Sequence, residues 1–222
     1  MRASNTQKHP SGDGGRISRL SPYARPQGKA DPGGLVQRLP LTNTPGLAGQ
    51  WFVFPAGGRA LEGEAYNLVG VPGKNNASRP SKSPKSWKQY RAWKMVHPSV
   101  KPGYVRMHLI SDRLGGSGAM ADNLAPGTNG MNQRHFHGCE NPLIKALKNG
   151  GSVLEYKVKS VYNGPSPNLV TKKGKAAWRN AMTSIKCSGK YKKTAAAAKF
   201  SYLRRTVKER LFLDVNPNWV GK

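Results

Sequence analysis

Arg106 and His108 stand two residues apart in the run YVRMHLI (104–110). The run alternates as a β-strand does, so both side chains leave the same face, about 7 Å apart along the strand. That places an imidazole and a guanidinium side by side on one strand face, an acid–base group next to a fixed cation. Asn132 and Glu140 follow, eight positions apart. On an unbroken α-helix that spacing means ~12 Å of rise and an offset of about 80°. One could then hold a metal ion directly while the other orders its waters, an arrangement that fits Mg2+, which prefers oxygen ligands and keeps several waters. Arg113 and Arg134 are further basic residues in the same stretch. Each residue also has a plainer reading. His108 could be a half-buried strand histidine with a satisfied hydrogen bond, Asn132 a helix-start residue, Glu140 a solvated helix residue, and the arginines ordinary surface groups. The HFHGC run (135–139) admits a weak zinc reading, because residues two apart on a helix diverge and no fourth ligand stands at a usual spacing.

The elements that must position these residues read as strand, loop, strand, helix. The strand is 104–110, followed by a loop with Gly115, Gly116 and Gly118, which is either a phosphate cradle or a plain wide turn. A very short second strand at 123–125 is expected to end at Pro126 and Gly127. Thr128 or Asn129 then caps a helix over 130–148, with Phe136, Leu143, Ile144 and Leu147 as its apolar stripe, Pro142 kinking or dividing it, and Gly150 and Gly151 as the stop. Around this unit, 153–162 alternates as a strand with Leu154, Tyr156 and Val158 on one face. The runs 175–187 (Trp178, Met182, Ile185) and 194–210 (Phe200, Leu203, Val207) space their apolar residues as helices do, and 211–215 reads as a closing strand. Trp178, Tyr191 and Tyr202 are expected in the core, leaving no aromatic platform for bases.

The N-terminal half is less informative. Residues 1–39 are rich in Gly, Ser, Arg and Pro without periodicity, as in a disordered leader. Two apolar runs, 51–54 and 65–71, flank a Gly57–Gly58 turn, and a basic linker at 73–87 suggests a boundary near residue 85. The organisation expected is a basic Gly/Pro-rich region over 1–85, with short strands at 50–71, and a folded domain over 86–222. Lys and Arg number 37 against 10 acidic residues, a net charge of +27. Such self-repulsion calls for a polyanionic partner, nucleic acid first and an anionic membrane second. No run approaches the ~20 apolar residues of a transmembrane segment, and the first 30 residues lack the apolar core of a secretory signal, so synthesis in the cytosol is expected. The two cysteines, Cys139 and Cys187, could be one bridge or two free thiols, and free thiols are the expectation.

The stretch 104–140 resembles the DNA/RNA non-specific endonuclease family, and in particular the divergent versions found as toxic domains of bacterial secreted effectors. That family carries an Asp-Arg-Gly-His element at the end of its first motif strand, matched here by Val105, Arg106, Met107 and His108. Its Leu-Asn-Gln context is matched by Met131, Asn132 and Gln133, its glutamate eight residues later by Glu140, and its Asn-Leu-x-Pro run by Asn123 to Pro126. Val105 and Met107 depart from the family's Asp and Gly. The resemblance implies an α+β fold built on a ββα-metal (His-Me finger) core, and metal-dependent hydrolysis of DNA or RNA. His108 would be the general base, Asn132 the Mg2+ ligand, Glu140 a second metal-site residue, Arg106 the clamp on the phosphate, and Arg113 and Arg134 further candidates for substrate phosphate. It also implies export into a target cell by a route without a signal peptide, through a secretion apparatus, and an acidic immunity protein as inhibitor. Two other readings of the charge are a non-catalytic nucleic-acid-binding protein and a structural or cargo protein of a secretion particle.

Overall fold

Leu47–Ala56 (β2) and Arg59–Gly70 (β3) form a hairpin whose two turn residues, Gly57 and Gly58, both take positive φ (56° and 73°), a conformation open to glycine at little cost. In this computed structural model the described residues are 37–40, 46–72, 80–84, 87–88, 104–162, 179–180 and 182–208. With Gln37–Pro40 (β1), Gly150–Tyr162 (β6), Met182–Thr194 (β7) and Ser201–Lys208 (β8), the hairpin builds a six-stranded antiparallel sheet in the order β1-β2-β3-β6-β7-β8. Tyr104–His108 (β4) pairs antiparallel with Leu124–Thr128 (β5) in a separate two-stranded sheet. Asn129–His135 (α1), a π turn at Phe136–Glu140 and Asn141–Lys148 (α2) follow β5 directly. The result is an α+β fold.

One face of the large sheet is apolar because strand residues alternate sides. Trp51, Val53, Ala65, Tyr156, Val158, Ile185 and Cys187 are buried there, and Leu143, Ile144 and Leu147 of α2 join the same core. The small sheet belongs to this core as well. Met107 and Leu109 are fully buried, and Ile110 Cγ1 lies 3.0 Å from where a Cβ on Gly63 of β3 would stand. The glycine in β3 therefore lets the end of β4 lie against the large sheet.

Several expectations change. The strands foreseen at 50–71 are long, and β3 lies in the middle of the sheet beside β6, so the boundary near residue 85 does not separate two folds: the sheet is built from both sides of it. Strand β1 covers 37–39, expected in the leader, while residues 1–36 lie outside the described residues. Strand β5 runs through Pro126 and Gly127. Proline is tolerated there because β5 pairs on one side only, with β4. The helices expected at 175–187 and 194–210 are the strands β7 and β8 where they are described. Ile185, Cys187, Gly189 and Tyr191 are buried at every second position, and the helix-like spacing of Met182 and Ile185 crosses the register shift between Val161 and Tyr162 on the partner strand. In β6, Leu154 is not on the buried face with Tyr156, because the register shifts between Val153 and Glu155. Trp178 and the segment 211–215 lie outside the described residues.

The helix after β5 divides, as Pro142 suggested. Thr128 caps α1, its hydroxyl accepting the Met131 N–H at 3.1 Å. Proline stands in the first turn of α2, where its missing N–H costs nothing, and the chain widens into the π turn just before it. Cys139 in that turn is bonded to Cys187 in β7, joining positions 48 apart, so the expected free thiols are a disulfide. Two sulfurs buried on facing elements make that pairing accessible.

Candidate active site

Strand β4 delivers Arg106 and His108 to one side of the small sheet, while Met107 points to the core on the other. Met107 stands where the resemblance leads one to expect glycine. Its sulfur and Cγ occupy the space that a Cβ on Gly127 of β5 would fill, so the extra side chain is accommodated by the missing one diagonally across on the partner strand, where Gly127 pairs with Val105. His108 is held neutral. Burial depresses its pKa, more than the nearby Asp112 carboxylate raises it, and its Nε2 is buried with no hydrogen-bond partner. That nitrogen is covered by the glycine loop, with a Cβ on Gly118 falling only 2.9 Å from it and 3.2 Å from Pro80 Cα. Residues 80–84 fasten onto the same loop. The Ser81 and Lys82 amides donate to the Gly118 carbonyl (3.0 and 3.3 Å), and Arg106 Nη1 donates to the Lys82 carbonyl at 2.9 Å.

The loop after β4 is held by Asn123. Its Oδ1 accepts from the Ile110 amide (3.0 Å), and its Nδ2 donates to the Ile110 and Ser117 carbonyls (2.9 and 3.2 Å). The side chain thus extends the hairpin ladder past the end of the strands, aided by the Leu109 amide donating to the Asn123 carbonyl. Gly116 lies against the Ile110 carbonyl, with no room for a Cβ. The glycines of this loop therefore serve close approach and a left-handed turn at Gly115 (φ 89°), which favours the plain-turn reading over a phosphate cradle.

Glu140 connects this loop to the helices. It is 5% exposed, and its Oε1 accepts the Ser111 amide at 3.1 Å and lies 3.9 Å from His135 Nδ1. Across the ring, His135 Nε2 meets the Tyr156 hydroxyl at 3.2 Å. Burial drives Glu140 up to about 8 and His135 down to about 4, so both favour the uncharged form and their 3.9 Å approach is too long for a hydrogen bond. The same burial raises Tyr156. Asp112 acts on both His108 and Glu140, and His108 on His135, so the end of β4 and the π turn share one electrostatic neighbourhood.

Asn132 is half-buried on α1. The intervening π turn holds one residue more than an α turn and withdraws about 100° of rotation. Asn132 and Glu140 are then related roughly as positions seven apart, ~20° rather than 80°. Arg113 lies with its guanidinium 5.6 Å from the Phe136 ring centre, and its charge favours ionisation of Glu140. Arg134 is turned elsewhere, donating to the Lys208 carbonyl at the end of β8 (3.1 Å). The zinc reading of 135–139 does not survive: His135 is engaged with Tyr156, and Cys139 has no thiolate to give. Among the described residues no group of three or more His, Cys, Asp or Glu is arranged to hold a metal ion. A Mg2+ held by one amide oxygen and waters needs no such group, and the half-buried Asn132 amide has the chemistry for it.

Asp112, Asn123 and Tyr156 were not among the residues expected at the site, and His135 was considered only as a zinc ligand. Asn123 stood in the quoted Asn-Leu-x-Pro run, the one signal that could have marked it; the others are brought in by folding alone.

These features define an α+β protein in which the glycine loop after β4 and residues 80–84 cover a buried histidine nitrogen. Residues 62–175, just over half of the 222, match the family model described as DNA/RNA non-specific endonuclease, and the chain belongs to that family. Neither the curated proteins nor the solved structures contain a match to it.

Proposed function

We propose that the chain is a metal-dependent endonuclease that hydrolyses phosphodiester bonds in DNA and RNA with little sequence preference. The observation that carries this reading is His108: a neutral imidazole whose Nε2 makes no hydrogen bond within the protein, in a chain of the nuclease family. A neutral ring can take the proton of an attacking water, and the Asp112 carboxylate stabilises the imidazolium that results. Arg106, on the same face of β4, exchanges the Lys82 carbonyl for a phosphate oxygen. Asn132 offers its side-chain oxygen to Mg2+; bound there, the ion supplies neutralisation of charge on the phosphate and on the leaving oxygen. Glu140 serves the same site by fixing the turn after His108 through the Ser111 amide. Arg113 stands near this turn, while Arg134 contributes phosphate binding only by releasing Lys208.

The hairpin followed by a divided helix supports a ββα-metal core. Substrate reaches Nε2 when the Gly118 loop and residues 80–84 give way. The disulfide supports service outside a reducing cytosol, as in a bacterial toxin or effector made in the cytoplasm and exported by a route without a signal peptide. An enzyme of this kind endangers its producer, so an acidic immunity protein is the partner expected there. No helix among the described residues is long and apolar enough to cross a membrane.

The test is incubation of the purified chain with plasmid DNA and with RNA, in Mg2+ or in EDTA, beside His108→Ala and Asn132→Ala. Cleavage should require the ion and fall at least about 100-fold in His108→Ala. Equal cleavage by His108→Ala removes the histidine from the mechanism, and tight binding without cleavage by any form favours the non-catalytic binder.

A further inference from the structure

The solvent face of the large sheet carries a second feature, on the side away from the core. The register pairs Lys190 with Tyr202, Ser188 with Arg204, Lys186 with Thr206 and Ser184 with Lys208, so these residues share one face. On β8 that face is open: Tyr202 is 74% exposed, and Arg204, Thr206 and Lys208 are exposed beside it. Phe200, just before the strand, is also exposed. Two lysines of β7 lie against these rings. Lys190 Nζ is 4.7 Å from the Phe200 centre and 5.9 Å from the Tyr202 centre, and Lys192 Nζ is 5.4 Å from the Phe200 centre.

Exposed rings on an ordinary surface are single and incidental, but here two stand two residues apart at the start of β8 and are set among cations. A nucleobase offers a flat apolar face with a phosphate close by, which is the complement of such a patch. A duplex buries its base faces in its own stack, so the complement is a single strand. Direction adds to this. From Tyr202 the row Arg204, Thr206, Lys208 runs ~20 Å along β8 at ~3.3 Å per residue, and at its end the Lys208 carbonyl receives Arg134 from α1, the helix that carries Asn132.

We propose that Phe200 and Tyr202, with Lys190, Lys192 and Arg204, form a binding site for single-stranded nucleic acid. Bases stack on the two rings, phosphates meet the cations, and the strand is led along β8 toward α1. The site does not rest on the catalytic reading, since it would serve a binder as well as a nuclease.

The experiment measures binding of a fluorescent single-stranded oligothymidine, and of a duplex of equal length, by anisotropy in EDTA. Variants are Tyr202→Ala, Tyr202→Phe, Phe200→Ala/Tyr202→Ala and Lys190→Gln, each checked by thermal unfolding. Tyr202→Ala should weaken single-strand binding about tenfold and the double variant further, while Tyr202→Phe stays within about twofold. Duplex affinity should be nearly unchanged by the aromatic substitutions, and Lys190→Gln should reduce the salt slope on the single strand by about 0.7. Unchanged single-strand affinity in the double variant overturns the proposal. So does an equal loss on the duplex, or an equal loss of binding to poly-glutamate, which would make the patch a surface for acidic protein. Because EDTA stops cleavage, failure here is separate from failure of the His108→Ala test.

Discussion

Two buried groups of opposite kind, Glu140 and His135, sit 3.9 Å apart and are both pushed toward neutrality. Their effects on stability have opposite signs. Folded Glu140 keeps its proton up to about pH 8, where an unfolded glutamate has lost it, so its contribution is lost as pH rises toward 8. Folded His135 stays neutral down to about pH 4, where an unfolded histidine has gained a proton, so its contribution is lost as pH falls below about 6.5. Between about 4.5 and 6.5 the slopes cancel; between about 6.5 and 8 only Glu140 acts. Urea unfolding in EDTA should therefore show stability falling by up to about 2 kcal/mol from pH 6.5 to 8. Glu140→Gln should remove that fall, and a variant that retains it would place the titration elsewhere. His108 and Glu140 were singled out in the sequence through the resemblance to the nuclease family, strand alternation adding only that His108 shares a face with Arg106. Asp112 and Tyr156 were not, and His135 was marked only through the zinc reading, because their places come from contacts across the fold: Tyr156 reaches His135 from 21 residues away.

At the scale of elements, the loop between β4 and β5 is built by one side chain. Asn123→Ala would leave the buried Ile110 amide and carbonyl without their partners, a loss of about 2–3 kcal/mol. Chemical denaturation measures it, and a loss below about 0.5 kcal/mol would mean the loop re-forms by other bonds. Gly118→Ala separates fold from activity. Its new Cβ would meet His108 Nε2 at 2.9 Å and the Pro80 Cα at 3.2 Å, so the ring must turn aside and residue 80 must give by a few tenths of an ångström. The ring should yield with little loss of stability and cleavage should fall at least about tenfold; full activity with an unchanged melting point would show that the ring's position is not critical. The disulfide ties the π turn to β7 across 48 residues, and loop-closure entropy assigns it about 4 kcal/mol. The hairpin and the cap at Thr128 were legible because turn glycines and capping residues act locally. The strands β7 and β8 were not: Phe200, Leu203 and Val207 fit a helical spacing as well as chance allows. Only their pairing with β6 and with each other selects strand.

For the whole molecule, charge is the property that composition conveys without any knowledge of fold. A net +27 on 222 residues predicts a polyanion but not where it lies. The fold adds the placement: toward its middle the outer face of the sheet is mixed, with Glu62 and Glu155 beside Lys157 and Lys159 on β3 and β6, and toward the β8 edge it is basic, with Lys186, Lys190, Arg204 and Lys208. Nucleic acid held through such an edge is bound mainly by release of counterions, so affinity should depend steeply on salt and weakly on sequence. If about five cations meet phosphates of a duplex, log K should fall with log salt at a slope of about −4.5. Anisotropy titrations in EDTA between 50 and 200 mM NaCl, solution conditions bracketing the ~8 Å screening length of physiological salt, read that slope directly. Two duplexes of unrelated sequence should give the same slope and affinities within a few-fold. A slope shallower than about −1 would mean that most of the charge serves something other than nucleic acid, and affinities differing about a thousandfold would require base-edge contacts that this surface of lysines and arginines does not suggest.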